Sequence, residues 1–126
     1  MLVDVASQQR DREALEKYAP LAEQQASHYD HVLYQAIAHR AWGVLNRLKG
    51  QYDEASIRFQ QALSLFQKLE TRWQIGRTYF ELGELAIESA DTPAARVYYS
   101  EAQKAFEEMK ALPAANRMQE ILEKLG

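Results

Sequence analysis

The three histidines are the residues of this sequence whose chemistry best suits a metal ion, because the imidazole nitrogen is a common zinc ligand. His28 and His31 flank a predicted helix start. His39 lies eight residues after His31, two turns further along the same helix face. Two turns of helix span about 11 Å, which is too far for both rings to reach one ion. The spacing therefore predicts no metal site, and we expect His39 to be a packing residue.

The acidic and nucleophilic side chains also lack the arrangement of a catalytic site. Glu107 and Glu108 lie beside Lys104 and Lys110 at helical spacing, which is typical of a solvated, salt-bridged helix surface. The sequence contains no cysteine, and its five glycines are scattered rather than gathered in a phosphate-binding loop. We therefore predict that the chain is not an enzyme, that it has no catalytic residues and that it needs no cofactor.

Length and charge narrow the class of partner. The 126 residues suffice for one domain with its own core. Proteins that bind a phosphate backbone usually carry a clustered basic surplus, and this chain has a net charge of -3, so we expect no nucleic-acid partner. No apolar run approaches the roughly 20 residues of a membrane span, and the first residues lack the basic region of a signal peptide. We expect a cytoplasmic domain that makes no membrane contact.

The elements that position these side chains are predicted to be helices throughout. From Tyr52 onward, apolar residues recur at steps of three and four through Ala55, Phe59 and Phe66, and the same spacing continues along the chain. The few prolines and glycines lie at intervals that suit helix ends. We predict six helices joined by short loops, over residues 10–27, 30–49, 52–69, 72–90, 93–110 and 113–125.

Several residues predict where these helices begin or break. Thr71 and Gln74 fit a capping box, in which each side chain satisfies a backbone N–H at the helix start. Asp91 is a capping residue that precedes Pro93 at the start of a helix, where a missing N–H costs nothing. Pro20 lies inside the first predicted helix, so we expect a kink or a break near residues 18–19.

An internal repeat is the strongest signal in the sequence. The alignment of the chain with itself that brings Gly43 onto Gly83 also brings Phe66 onto Phe106. At other positions of the same alignment, small residues again meet small residues and large residues meet large ones. Two helices approach closely only where one presents glycine or alanine and the other fills the space with an aromatic ring. A unit that cannot bury its own face alone stacks on a copy of itself. The repeat therefore predicts stacked helix pairs.

The residues of this repeat resemble the tetratricopeptide-repeat pattern. His39-Arg40-Ala41-Trp42-Gly43 is followed by Gly50-Gln51-Tyr52-Asp53-Glu54-Ala55 and then by Phe59 and Ala62. The period is long, at about 40 residues, and is similar to the extended repeats of large bacterial signalling ATPases and regulators. The resemblance implies an all-α fold, a short α-solenoid of about six helices in antiparallel pairs, in one domain over residues 1–126. Its parts would be half a repeat (10–27), two repeats (30–69 and 70–110) and a C-terminal capping helix (113–125).

The resemblance also implies a function and a site. In this family the first helix of each repeat lines the inner, concave face, so the chain would be a protein–protein interaction module whose protein or peptide partner is unknown. Phe80 and Ile87 lie off the core stripe of their helix and are expected to be partly exposed among charges. Alternatively, Phe80 packs against a neighbouring helix and the charges are only solvated. The predicted face residues are Ile37, Arg40, Val44, Arg47, Arg77, Phe80, Glu84, Ile87, Glu88 and Arg117.

Two other functions stay open at the level of the sequence. One is a sensor domain that binds a small molecule in the concave groove, which a deep and mostly apolar pocket on that face would favour. The other is a structural piece that serves for dimerisation.

The first helix suggests that the repeat array is incomplete. Ala14 and Tyr18 align with Ala55 and Phe59 of the following repeat, so this helix matches the second half of a repeat. We expect a fragment of a larger bacterial regulatory or signalling protein. The alternative is that Met1 is the native start, followed by a frayed tail. Half a repeat would leave some of its apolar residues without partners, which predicts a homodimer through the N-terminal helix. The candidates, of which some would be unpartnered, are Leu15, Tyr18, Leu21 and Ala22.

Overall fold

The computed structural model describes residues 12–29 and 31–126, without the side chains of residues 14, 18, 22 and 24–29. These residues form helices and no strands, which confirms the predicted all-α class. The ends predicted for the last five helices agree with the structure to within two residues, whereas the predicted start at residue 10 lies outside the described part. The helices are α1 (Arg12–Tyr29), α2 (Val32–Leu48), α3 (Tyr52–Leu69), α4 (Arg72–Glu88), α5 (Thr92–Glu108) and α6 (Leu112–Leu125).

The chain divides into two compact units, residues 1–69 and residues 70–126. In the first unit, α2 packs against both α1 and α3. In the second unit, α5 packs against both α4 and α6. Within each unit, each helix therefore packs against its neighbour in sequence, as the short loops predict, and the helix-pair packing of an α-solenoid is confirmed. None of the described helices is long and apolar enough to cross a membrane.

A left-handed residue follows each of four helices at equal intervals along the chain. Gly50, Glu70, Ala90 and Lys110 have φ angles of 77°, 55°, 59° and 60°. After α4, the N–H of Asp91 donates to the carbonyl of Ala86 at 2.8 Å, and α2 and α5 end with the equivalent bond. This pairing satisfies a carbonyl in the last turn of the helix that would otherwise lack a donor. The turns thus recur at half the period of the internal sequence repeat.

The helix starts confirm one predicted cap and contradict the other. The Asp91 carboxylate accepts a hydrogen bond from the Ala94 N–H at 3.1 Å, and a proline follows in the first turn of α5. Thr71 occupies the equivalent position before α4, but its side chain makes no capping bond and its hydroxyl is buried without a partner among the described residues. The predicted capping box is therefore wrong. Thr71 contributes its backbone carbonyl instead, which accepts from the Ile75 N–H.

The first helix corrects one further expectation and separates two of the apolar candidates on it. α1 runs through Pro20, so the predicted break is wrong. Leu15 and Ala19 on the same helix are fully buried, and their packing offsets the hydrogen bond that proline removes. Leu15 is therefore not an exposed apolar residue, whereas Leu21 is 49% exposed. The side chains of Tyr18 and Ala22 lie outside the described part of the structure.

Close approach of paired helices depends on glycine facing an aromatic ring, as the repeat predicts. A Cβ atom placed on Gly43 of α2 would lie 2.5 Å from the Phe59 ring of α3. Gly76 of α4 meets the Phe106 ring of α5 in the same way, also at 2.5 Å. No real Cβ atom approaches a ring this closely, so a larger residue would force the helices apart.

Candidate partner-binding face

Phe80 is the centre of the site that the second unit offers. Its helix, α4, is held against α5 by the glycine contacts, and this packing leaves the Phe80 ring half-buried. The ring centroid lies 6.1 Å from that of Tyr99 on α5. The guanidinium carbon of Arg117 on α6 lies over the same Phe80 ring, 5.3 Å from its centroid. Phe80 therefore packs against neighbouring helices and also keeps part of its surface accessible.

Glu84 lies one turn further along α4 and is linked to the same group of residues. The hydroxyl of Tyr99 donates a hydrogen bond to its Oε2 atom, with an oxygen–oxygen distance of 3.4 Å. Tyr99 reaches this position because Gly83, the residue beside Glu84, leaves room for its ring. The packing glycine thus also places the tyrosine hydroxyl that orients Glu84.

The other predicted residues of the second unit are accessible in different degrees. Ile87 is 39% exposed, and Glu88 and Arg117 are exposed as well, whereas Arg77 is half-buried like Phe80 and Glu84. These side chains combine apolar surface with charges of both signs, as a protein-binding surface does. We call these six residues the Phe80 face: Arg77, Phe80, Glu84, Ile87, Glu88 and Arg117.

The four residues predicted in the first unit are buried. Ile37 and Arg47 are 6% and 4% exposed, and Arg40 and Val44 are fully buried. The guanidinium carbon of Arg40 lies 4.9 Å from the centroid of the Phe66 ring on α3, and the π face of this ring attracts the buried positive charge. Their role in partner binding stays a prediction, but in this structure these side chains do not offer an accessible surface.

Sequence reasoning missed a polar cluster in the first unit. Arg58 of α3 lies 2.9 Å from Nδ1 of His39 on α2 and 3.1 Å from Oε2 of Glu23 on α1. Its guanidinium carbon also lies 5.4 Å from the ring centroid of Trp42. Because arginine can only donate, Nδ1 of His39 must accept, which places the imidazole proton on Nε2. His39 is therefore a hydrogen-bonding residue as well as a packing residue.

The environment of His39 favours its neutral form. Burial lowers the pKa of His39 below its ordinary value of 6.5, and the nearby Arg58 charge lowers it further, while Glu23 acts in the opposite direction. A signal for this cluster was present in the repeat, because His39 and Arg58 align with Tyr79 and Tyr98 of the second copy. Those two rings contact each other at 6.3 Å. The two positions therefore hold a contacting polar pair in the first repeat and a contacting aromatic pair in the second.

The described residues offer no metal cluster, and two cavities of the structure lie away from the predicted face. No group of three His, Asp or Glu side chains among the described residues could hold a metal ion. Two cavities of about 430 and 270 Å³ lie in the first unit, and neither is lined by a predicted face residue. The larger is bordered by His39 and residues of α3, and the smaller by Trp42, Ile57 and Arg58, among others.

The comparison with protein families agrees with the helix pairs, the glycine–aromatic contacts and the internal repeat. The family model of the tetratricopeptide repeat matches residues 34–108, which is more than half of the chain. No curated protein and no solved structure matches the chain. The matched segment contains α3, α4 and α5 and nearly all of α2. The chain therefore belongs to the tetratricopeptide-repeat family.

Proposed function

We propose that this chain is a protein-interaction module that binds a protein or peptide through the Phe80 face. Tetratricopeptide repeats generally serve as scaffolds for protein binding, and the family match supports this class of function. The observation that carries the choice of surface is the contact between Arg117 and the half-buried Phe80 ring. Arginine and aromatic residues contribute most of the binding energy at many protein interfaces.

The spacing of the apolar residues suits an elongated partner segment. Ile87 follows Phe80 by seven residues, so the two side chains lie about 10 Å apart along α4 on one side of the helix. Glu84 lies between them in the chain, and Arg117 contributes from α6. A partner chain that passes along this face would meet two apolar contacts and charges that define its orientation.

The test is capture of a partner from an extract of the native host. The variant Phe80→Ala with Arg117→Glu removes the central contact, and we expect it to abolish capture. Phe80 also packs against the core of the second unit, so thermal unfolding measured alongside must show that the variant is still folded at the temperature of the capture experiment. The matched control is Val97→Ala with Lys104→Glu, which makes the same kinds of change on exposed positions of α5. Equal capture by all three proteins would contradict the proposed surface.

The wider context of the module is a further part of the proposal. We propose that it belongs to a larger bacterial regulatory or signalling protein that acts in the cytoplasm. The support is the resemblance of its long repeats to the extended repeats of such proteins. The coding sequence next to this segment would test the parent protein. Cell fractionation with an antibody against the chain would test the location.

A further inference from the structure

Arg117 differs from other arginines of the chain in what its guanidinium contacts. Arg58 and Arg72 pair with carboxylates at 3.1 and 2.9 Å, and Arg96 donates two hydrogen bonds to backbone carbonyls at the end of α6. Arg117 is exposed and contacts the ring of Phe80. It makes no hydrogen bond or ion pair with any described residue. It is thus a positioned cation whose hydrogen-bond donors have no acceptor in the described part of the chain.

This arrangement suits the recognition of a carboxylate. A guanidinium held above an aromatic ring is attracted by the π face, and this contact leaves its five N–H donors for an acceptor. The donors form a planar fork that matches the two oxygens of a carboxylate. The contact with Phe80 also restricts the Arg117 side chain before a partner binds, which lowers the entropy cost of binding.

The other residues of the Phe80 face determine where such a carboxylate can lie. Glu84 and Glu88 on α4 repel an acidic group, and Arg77 on the same helix is half-buried, whereas Arg117 on α6 is exposed and is therefore the more accessible cation. The α4 side offers the apolar surfaces of Phe80 and Ile87. These apolar positions extend along the helix, so a chain that contacts both runs along α4 and meets Arg117 beside Phe80.

We infer that the Phe80 face selects a protein segment in which a glutamate or aspartate side chain lies next to an apolar side chain. Arg117 holds the carboxylate in a two-pronged hydrogen bond, and Phe80 and Ile87 receive the apolar part. This inference rests on the proposed function and specifies the chemistry of the partner. The net charge of the chain is -3, so its overall field repels acidic segments. A preference for acidic segments would therefore have to come from a local contact.

The test uses an array of acetylated and amidated peptides of about ten residues, which carry no terminal carboxylate. Each peptide pairs leucine or phenylalanine with glutamate, and its twin has glutamine in place of glutamate. We expect the wild-type chain to bind the glutamate peptides at least about tenfold more tightly, because a hydrogen-bonded ion pair contributes about that factor. Arg117→Gln should remove the preference. Arg117→Lys should keep only part of it, because an ammonium group lacks the fork. Lys104→Gln, an exposed change on α5, is the control and should alter nothing.

The outcomes separate this inference from the proposed function. Equal binding of glutamate and glutamine peptides that is lost in Ile87→Glu would overturn the inference and leave the proposed surface in place. A preference for glutamate that survives Arg117→Gln would overturn the inference as well, and so would an array on which the wild-type chain binds no peptide. Binding that is insensitive to every change on the Phe80 face would overturn both. Peptides with a free terminal carboxylate serve as a further arm, and tighter binding of these would overturn the assignment to a side chain.

Discussion

The ring of Tyr99 on α5 fills the space that Gly83 leaves open on α4. A Cβ atom placed on Gly83 would lie 2.7 Å from Cε1 of Tyr99, which is closer than real side chains approach. The same tyrosine contacts Phe80 and donates to Glu84. One close contact between helices therefore supports both the core of the second unit and the Phe80 face.

Replacement of Gly83 should destabilise the protein far more than replacement of its neighbour. We expect Gly83→Leu to lower the free energy of unfolding by about 1–3 kcal/mol, because the side chain would collide with the Tyr99 ring. Glu84→Leu should cost about 0.5 kcal/mol, since Glu84 is partly exposed and its bond to Tyr99 is long. Urea unfolding of the two variants measures the difference. Equal losses would show that the two helices do not approach as described.

The left-handed turns allow a stabilising substitution. Ala90 has a φ angle of 59°, which places its Cβ atom in a strained position that glycine avoids. We expect Ala90→Gly to raise the free energy of unfolding by about 1 kcal/mol. The reciprocal change is Gly50→Ala, which should lower it by a similar amount. No atom lies within 4 Å of a Cβ on Gly50, so this variant measures backbone strain without a steric clash. Shifts of the same sign in both variants, measured by thermal unfolding, would contradict the explanation.

The His39 cluster should make stability depend on pH. The pKa of His39 is lower in the folded chain than its ordinary value of 6.5, so folding favours the neutral imidazole. The stability that neutral His39 contributes is therefore fully present above about pH 6.5 and is lost as the pH falls below that value. We expect part of the drop in unfolding free energy between about pH 7.5 and pH 5.5 to disappear in His39→Gln. The control His31→Gln changes an exposed histidine and should retain the drop.

The His39–Arg58 pair of the first repeat should be replaceable, at a partial cost in stability, by the tyrosine pair that occupies the same positions in the second repeat. His39 and Arg58 correspond to Tyr79 and Tyr98, whose rings contact each other at 6.3 Å. We expect His39→Tyr and Arg58→Tyr each to destabilise the chain, because each removes the hydrogen bond at 2.9 Å between the two residues. The double variant should regain part of the loss through ring packing. A double-mutant cycle in urea measures this coupling, and strictly additive losses would contradict it.

The predicted homodimer depends on α1. Leu15 is fully buried, so the remaining apolar candidate among the described side chains of this helix is Leu21, which is 49% exposed. If α1 mediates pairing, light scattering after size exclusion at tens of micromolar should give twice the mass of 14.5 kDa, and Leu21→Glu should restore the single mass. A wild-type mass near 14.5 kDa would contradict the dimer.

The helices and their pairing followed from local features of the chain. Steps of three and four predicted α2 to α6 as helices, because a helix that buries one face shows that periodicity in its sequence, and the glycines, prolines and capping residues predicted where these helices end. The match of Gly43 with Gly83, and of Phe66 with Phe106, predicted where helices approach closely. Such contacts can be predicted from the sequence because glycine and aromatic residues differ so much in size.

The accessibility of the long polar side chains depended on packing that no local pattern describes. Arg40 and Arg117 were both assigned to the face, yet Arg40 is fully buried near Phe66 whereas Arg117 is exposed above Phe80. Helical register places a Cα atom on one side of a helix. A guanidinium lies several rotatable bonds away, and its position depends on which neighbouring helix offers a ring or a carboxylate. The link from Arg58 to Glu23 joins residues 35 positions apart for the same reason. Such contacts form only when separate helices come together, so their partners are set by the packed fold and not by sequence spacing.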